Sequence, residues 1–537
     1  MDRLVAFIDP ERGFRRMRSR AFLAIGESWT GASKSRRGTR RWKPSEGDAD
    51  ADILHDLPSL RARSRDLVRN YALAGGAIHT KVTNVVGAGI RPQSKIDGQF
   101  LGLTLEQVNT WQQTAEREFS LWAESQACDM ERTGNFYDLQ DLAFRSVLEN
   151  GDVFVNLPFN TVLGQPYDLR VQLIEADRIC NPNWNADGSV TADGNELLGG
   201  VEKNVFGAPV AYHVSNKHPG AVARNSLKWA RMEAFGKKTG RRNMLHLYRK
   251  LRIGQSRGVP DLAAVIEPLK MLERYTEAEI TAAVMSGMFS VFVKTSNGDG
   301  LNLDEEARPA SPYSPGSALP EPSTGREVQM GSGAIIDLLP DEDVEFADPK
   351  RPNTAFDPFV MAILRQIGVA LELPFEVLVK HFTASYSAAR AALLEAWRFY
   401  LNRRAWLVSQ FCQPVYEEWL SEAVAIGRIQ APGFFDDPAI RKAYCRAVWV
   451  GPGRGQINPD AETKASVRRI EAGISTREKE AMELDGSDFD ILHTQLVQEK
   501  KMRVEGGLEL PVALLPAVPT SPFQNEDENK DPDDADD

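Results

Sequence analysis

The sequence predicts an α+β fold that is mainly helical, and three observations carry that reading. Apolar residues recur at helical spacing over long stretches such as 64–86, 105–122 and 353–373. Between 152 and 215 the pattern changes to the alternation of antiparallel strands. Residues 296–352 then lose both patterns and fill with Gly, Pro, Ser and acids, splitting the helical half of the chain.

The elements follow in order. Leu67, Tyr71, Ile78, Val82 and Val85 share one side of a helix predicted over 64–86, which Gly87 stops and Pro92 prevents from resuming. Thr104 with Gln107 makes a capping box, in which each side chain satisfies an amide that the helix leaves open. Leu105, Trp111, Ala115, Phe119 and Trp122 give that helix its apolar stripe. A third helix over about 138–149 ends at Asn150-Gly151 and leads into the strand-like "DVFVNLPF". "YDLRVQLIEADRI" reads as one strand, and "GGVEKNVFGAPVAYHV" as a hairpin turning at Phe206-Gly207-Ala208. From Val259 the pattern is helical again, with Pro260 in a first turn and a kink predicted at Pro268. Residues 296–352 read either as a linker or as a small module whose short strands are "EVQM" and "GAIIDLL". A helix with Phe356, Val360, Ile363, Ile367 and Leu371 on one stripe ends at Pro374, and a long helix runs to about Ala425. Shorter polar helices are predicted over about 459–472, 476–484 and 487–503.

Composition narrows the function classes. At 537 residues there is length for several domains, and the net charge of −11 argues against a protein that coats nucleic acid with its whole surface. Residues 11–43 nevertheless carry eleven Lys/Arg against two acids, and residues 525–537 carry eight acids against one lysine. Both ends read as solvated or partner-ordered arms, because neither has the apolar surface to offset its ordering entropy. No apolar run reaches the ~18 residues of a membrane span, and the N-terminus lacks the apolar core of a secretory signal. The four cysteines lie far apart, so neither disulfides nor zinc are expected.

Catalytic signatures are missing. "GAGIRP" at 87–92 follows a helix and lacks the third glycine of a dinucleotide fingerprint, and "GPGRGQ" at 451–456 lacks the ending of a phosphate loop. "GESWTG" at 26–31 does not have the spacing of a nucleophile elbow. His213 and His218 flank a strand end with no carboxylate at ligand spacing. Asp129 and Glu131 are loop acids of a kind that is common without catalysis. No enzyme activity, cofactor or metal is therefore expected.

The stretch "HFTASYSAARAALLEAWRFYLNRRAWL" at 381–407 is distinctive. Alanine is the best helix former, which alone explains part of it. Yet Ala388, Ala389, Ala391 and Ala392 point in every direction at 100° per residue, where solvent exposure would favour Glu and Lys. Small side chains all round suit a helix hemmed in by identical copies in a closed ring. Trp397, Phe399, Tyr400, Trp406, Leu407 and Phe411, further along, suit the subunit's own core.

That run, with "YALAGGAIHTKVTNVVGAGIRPQS", "SVLENGDVFV", "LIEADRI", "QSRGVPDLAAVIEPLKMLERYTEAE" and "FCQPVYEEWLSEAVAIG", resembles the lambda-type portal proteins of tailed bacteriophages, in order from about 60 to 475. The resemblance implies a homo-oligomeric ring, in the family a dodecamer, at one capsid vertex, assembled in the bacterial host cytoplasm. Double-stranded DNA would pass through it in packaging and ejection, bound weakly and without sequence preference. It implies partners in the terminase large subunit, a head-completion or connector protein, and the major capsid or scaffolding protein, and no membrane. Laid on this chain it gives a wing over 61–252 and a stem helix with the clip entry over 253–295, while the basic arm over 1–60 is read from charge and lies outside the resemblance. The clip would be 296–352, the second stem helix 353–373 and the channel loop 374–387. The long helix and return to the wing would be 388–445 and crown-like helices 446–505; the acidic tail over 506–537 is read from charge and lies outside the resemblance. Lys380, His381, Ser385, Tyr386 and Arg390 would face the channel, and Ala388, Ala389, Ala391 and Ala392 would pack between subunits. Ordinary surface charge explains Lys380, His381 and Arg390 equally well. The alternatives are an oligomeric virion scaffold or adaptor that never touches DNA, and a DNA-packaging enzyme such as a motor or nuclease.

Overall fold

The computed structural model describes residues 29–33, 36–221, 227–287, 291–295, 342–346, 356–382, 385–456 and 458–508, with residues 11, 15 and 18. In order, the first part comprises α1 (Ala49–Ile53), α2 (Leu57–Asn70), α3 (Ala72–Val85), β1 (Arg91–Ser94), α4 (Gly98–Leu101), α5 (Leu105–Ala123) and α6 (Phe136–Asn150). Strands follow: β2 (Asp152–Asn156), β3 (Gln172–Glu175), β4 (Ser189–Val190), β5 (Glu196–Leu198), β6 (Val201–Lys203), β7 (Pro209–Ser215), β8 (Trp229–Glu233) and β9 (Met244–Tyr248). Then come α7 (Ile266–Gly287), β10 (Val291–Thr295), β11 (Glu342–Phe346), α8 (Phe356–Ala370), α9 (Phe375–Leu378), α10 (Tyr386–Leu407) and α11 (Gln413–Ala425). The chain closes with α12 (Pro438–Tyr444), β12 (Ala447–Val450), α13 (Pro459–Glu471), α14 (Arg477–Leu484) and α15 (Phe489–Glu505).

Local sequence explains most boundaries. The Thr104–Gln107 capping box forms at the start of α5. Asn135 caps α6 by accepting from the amides of Tyr137 and Asp138, and Gly151 at φ +92° ends it. Leu105 stands in solvent at the first turn, so the buried stripe of α5 is Ala115, Phe119 and Trp122. The helix predicted over 64–86 is broken at Tyr71, whose backbone is extended (φ −117°, ψ 112°). The break folds α3 back against α2 and brings Gly75 so near the Val68 carbonyl that a Cβ would lie 2.8 Å from the oxygen. Pro268 does not kink a helix, because α7 begins only at Ile266 and leaves the proline in the first turn, where the missing N–H costs nothing.

The strands form a three-stranded sheet β3-β2-β9 and a five-stranded antiparallel sheet β4-β5-β6-β7-β8. β2 works for two cores, as its pleat dictates. Val153 and Val155 enter the main core while Phe154, between them, enters a second core with Ile179, Val201, Tyr212 and Met244. The hairpin expected at Phe206-Gly207-Ala208 is β6–β7, its turn held by Asn204 Oδ1 accepting from the amides of Phe206 and Ala208. "YDLRVQLIEADRI" yields only the short β3, because Ala176–Arg178 turn into a 3-10 helix.

The main core joins residues from α2 to α12. Phe119 is its aromatic centre, with Trp419, Tyr416, Trp122 and Phe136 rings 5.0–5.9 Å away. α10 and α11 are continuous through a π turn over Val408–Cys412. Pro414, lacking an N–H, removes the next α-type bond, and the wider turn gives its ring room. β1 pairs antiparallel with the distant β12. β10 and β11 pair across residues 296–341, and the strands expected at "EVQM" and "GAIIDLL" lie outside the described residues. No helix among the described residues is long and apolar enough to cross a membrane.

Candidate functional site

The segment between α8 and α10 projects from a root that is tied down on every side. Gly368 packs against the Leu373 carbonyl, and Glu372 and Lys380 both adopt left-handed backbone (φ +55° and +54°), so the chain turns sharply at each end of α9. Arg403 of α10 donates to both Glu372 carboxylate oxygens at 3.0 and 3.1 Å and lies 4.6 Å over the Phe399 ring. On the same ring sits the buried Lys81 ammonium, 5.0 Å from the centroid and ion-paired with Asp261. Arg249 lies 3.7 Å from Asp261 and 3.8 Å from Glu372. Burial pushes the Lys81 and Arg403 pKa values down and their carboxylate partners push back. Arg404 donates to the carbonyls of Asn84, Val85 and Pro452 and has no acid partner among the described residues. Burial lowers its pKa to about 10.

Beyond that root the segment opens to solvent. Lys380, His381 and Ser385 are exposed. The Tyr386 side chain lies outside the described residues. Arg390 is half-buried and 3.8 Å from Glu462 of α13, which ties it to the C-terminal helices. Ala388 and Ala391 are exposed, and Ala389 and Ala392 half-buried. The described residues therefore leave Ala388 and Ala391 at the small-residue start of α10 uncovered, and Leu394 and Leu401 continue the exposed apolar strip. On the opposite side Phe399, Tyr400, Leu407 and Phe411 are buried in the main core, while Trp397 and Trp406 pack against it half-buried.

Other singled-out residues have structural partners. Asp129 is buried and accepts from the amides of Glu131, Thr133 and Gly134 and from the Thr133 hydroxyl, which organises its loop. His213 faces Glu202 at 3.3 Å, with Arg231 donating to the same carboxylate. His218 does meet carboxylates, contrary to the reading from spacing, because folding brings Glu175 and Asp177 to it. Arg61 and Arg65 already occupy Asp177, and Arg65 reaches Glu175 at 3.2 Å, so cations of the chain fill the place of a metal. The four cysteines are free. Sequence reading missed the buried group around Asp152. Arg257 (2.6 Å), Arg61 (2.8 Å) and His246 (3.2 Å) surround that carboxylate, from positions about 90 to 100 residues away, which no local spacing reveals.

The family model described as phage portal protein, lambda family, matches residues 35–404. The chain belongs to the lambda family of phage portal proteins. Portal protein B of Escherichia phage lambda is 26% identical over 505 residues, covering 91% of this chain and 92% of the lambda protein. The portal protein of Escherichia phage N15 is 26% identical over 504 residues, covering 92% and 93%. A probable portal protein of Halomonas phage phiHAP-1 is 24% identical, covering 88% and 84%. Among solved structures, a chain from the neck of an empty GTA particle matches 80% of this portal chain and 94% of its own length, at 13% identity and a TM-score of 0.41. A chain from the virion of a native gene transfer agent particle covers 80% and 94%, at 12% identity and a TM-score of 0.39. As a member of this family the chain is a structural portal protein of a phage particle.

Proposed function

We propose that this portal chain forms a closed ring of identical subunits, in the family's dodecameric form, around a channel that conducts double-stranded DNA. The ring would dock the terminase large subunit and a head-completion or connector protein, seat against the major capsid or scaffolding protein, and carry no catalytic activity of its own. The observation that carries the reading is the exposed small-residue start of α10, with Ala388 and Ala391 uncovered by their own chain. A helix of that composition favours close approach by a neighbouring copy, and a heterologous contact that closes makes a ring.

The remaining assignments rest on the same reading. α7 and α8 would be the stem. They pair through Tyr275, whose ring lies 5.5 Å from Phe356 and 5.2 Å from Phe359, and they leave Ile280, Val284 and Val369 exposed. The β10–β11 pair would close the base of the clip over 296–352. Residues 61–252 with the return over 388–445 would be the wing, and α13–α15 the crown-like region. In the channel loop over 374–387 and the first turn of α10, Lys380, His381, Ser385, Tyr386 and Arg390 would face DNA. Ala388, Ala389, Ala391 and Ala392 would pack between subunits. Negative-stain microscopy of the purified full chain tests the reading. Annular particles with a channel wide enough for a duplex are expected, and only monomers at high concentration would overturn it.

A further inference from the structure

The turn over 485–488 and the first turns of α15 form one wall of a half-open cavity of about 710 Å³, whose other walls include α5, β1 and α6. Arg91, Glu116, Phe119, Tyr137, Asp488 and Leu492 are among its walls. The turn is seated closely, since a Cβ on Gly486 would lie 2.6 Å from the Gly451 carbonyl oxygen. Lys95, just after β1, holds the edge, 3.0 Å from Glu478 of α14 and 3.6 Å from Asp490 of α15. Beyond Leu492, Gln495 still lines the cavity, and α15 exposes Leu496, Val497, Met502 and Val504.

The charge under this cover is one-sided. Glu116 accepts the Ser94 amide at 2.7 Å. Near it are Asp488 from the turn, Asp490 from α15, Tyr416 from α11 and Lys95 from the β1 region, while Asp485, Tyr137 and Arg91 line the same cavity. Arg91 is already committed to Glu124 at 3.2 Å and to the face of the Tyr137 ring at 4.8 Å. Lys95 is shared between Glu478 and Asp490. Closing the turn therefore sets Asp488 and Asp490 near a partly buried glutamate whose neighbouring cations, Arg91 and Lys95, are already shared with other acids. We propose that the 485–488 turn and α15 form a pH-responsive flap, which seats over the cavity while Glu116 carries a proton and lifts when these carboxylates are ionised together.

Burial raises the Glu116 pKa to about 7, with Asp488 and Asp490 adding to the rise and the Ser94 amide and Lys95 opposing it. The lifted flap returns the carboxyl to its ordinary range near 4.5. A carboxyl whose pKa is higher in the seated form favours seating fully below the lower value. That preference falls as pH rises from about 4.5 to 7 and is flat above.

Amide hydrogen exchange of α15 in the full chain, corrected for intrinsic exchange rates, reads the flap between pH 5 and 8. Protection of residues 489–505 is expected to fall by about tenfold or more over that range, while the α5 and α6 amides keep theirs. Glu116→Gln is expected to hold the acid level of protection at every pH. Asp488→Asn is expected to shrink the fall, and Lys95→Ala to lower protection throughout while keeping its pH slope. A flat profile in the wild type, or an unchanged slope in Glu116→Gln, overturns the proposal.

Discussion

Asp152 has no exposed surface, yet it is the ionic anchor of β2. Burial opposes its ionisation, but Arg257 and Arg61, aided by the His246 hydrogen bond, hold its carboxyl well below the usual carboxylate range. Arg257 also donates to the carbonyls of Ala176, Ile179 and Gly199, so one guanidinium joins β2 to both sheets. Gly151 and Gly258 meet beside this group with no room for a Cβ on either. His246 is stacked between Phe154 at 4.0 Å and Tyr248 at 4.2 Å, and burial lowers its pKa to about 4 despite the facing Asp152. The unfolded chain restores a value near 6.5 and binds the proton first. Stability from His246 is therefore fully present above that value and is lost as pH falls toward 4, amounting to about 2–3 kcal/mol. Urea midpoints at pH 7.5 and 5 are expected to separate less in His246→Gln than in the wild type. Parallel falls in both would place the acid sensitivity elsewhere.

At the scale of elements, local chemistry made much of the molecule readable in advance. The Thr104 capping box, the Gly151 stop and the β6–β7 hairpin each depend on residues only a few positions apart. What was not readable depends on distant partners. The β1–β12 pairing joins segments from opposite ends of the described chain, the break at Tyr71 answers to packing of α3 on α2, and the carboxylates beside His218 arrive from β3 and the turn after it. For the α10 segment, composition announced an unusual helix and its buried half, but the Arg403–Glu372 and Lys81–Asp261 ties at its root came only with the fold. The exposed half yields a direct prediction. Ala391 faces solvent, so Ala391→Trp should shift subunit stability by less than about 0.5 kcal/mol. In a crowded ring the same substitution has no space. Sedimentation should show loss of the ring with an unchanged thermal midpoint, and rings assembling at the wild-type concentration would remove the α10 start from the interface.

For the whole molecule, the proposed ring would have to surround DNA without arresting it. Each phosphate that a protein neutralises adds about 0.9 to the slope of log affinity against log salt. Repeated around a ring, even a few strong cations per subunit would hold the duplex fast. The chain has a net charge of −11 and Arg390 lies within ion-pair distance of Glu462, while Lys380 is exposed. Assembled rings are therefore expected to bind linear duplex with a salt slope below about 2 in magnitude and no preference among sequences. A slope near 6 or steeper would contradict a sliding channel wall. The eleven Lys/Arg of residues 11–43 supply the necessary control, because that segment has the charge to bind DNA away from the channel. If removing residues 1–43 abolishes a steep slope, the channel argument stands and the arm is the DNA-binding element. If the slope persists, the wall itself grips DNA and the assignment of Lys380, His381 and Arg390 to a weak-contact surface fails.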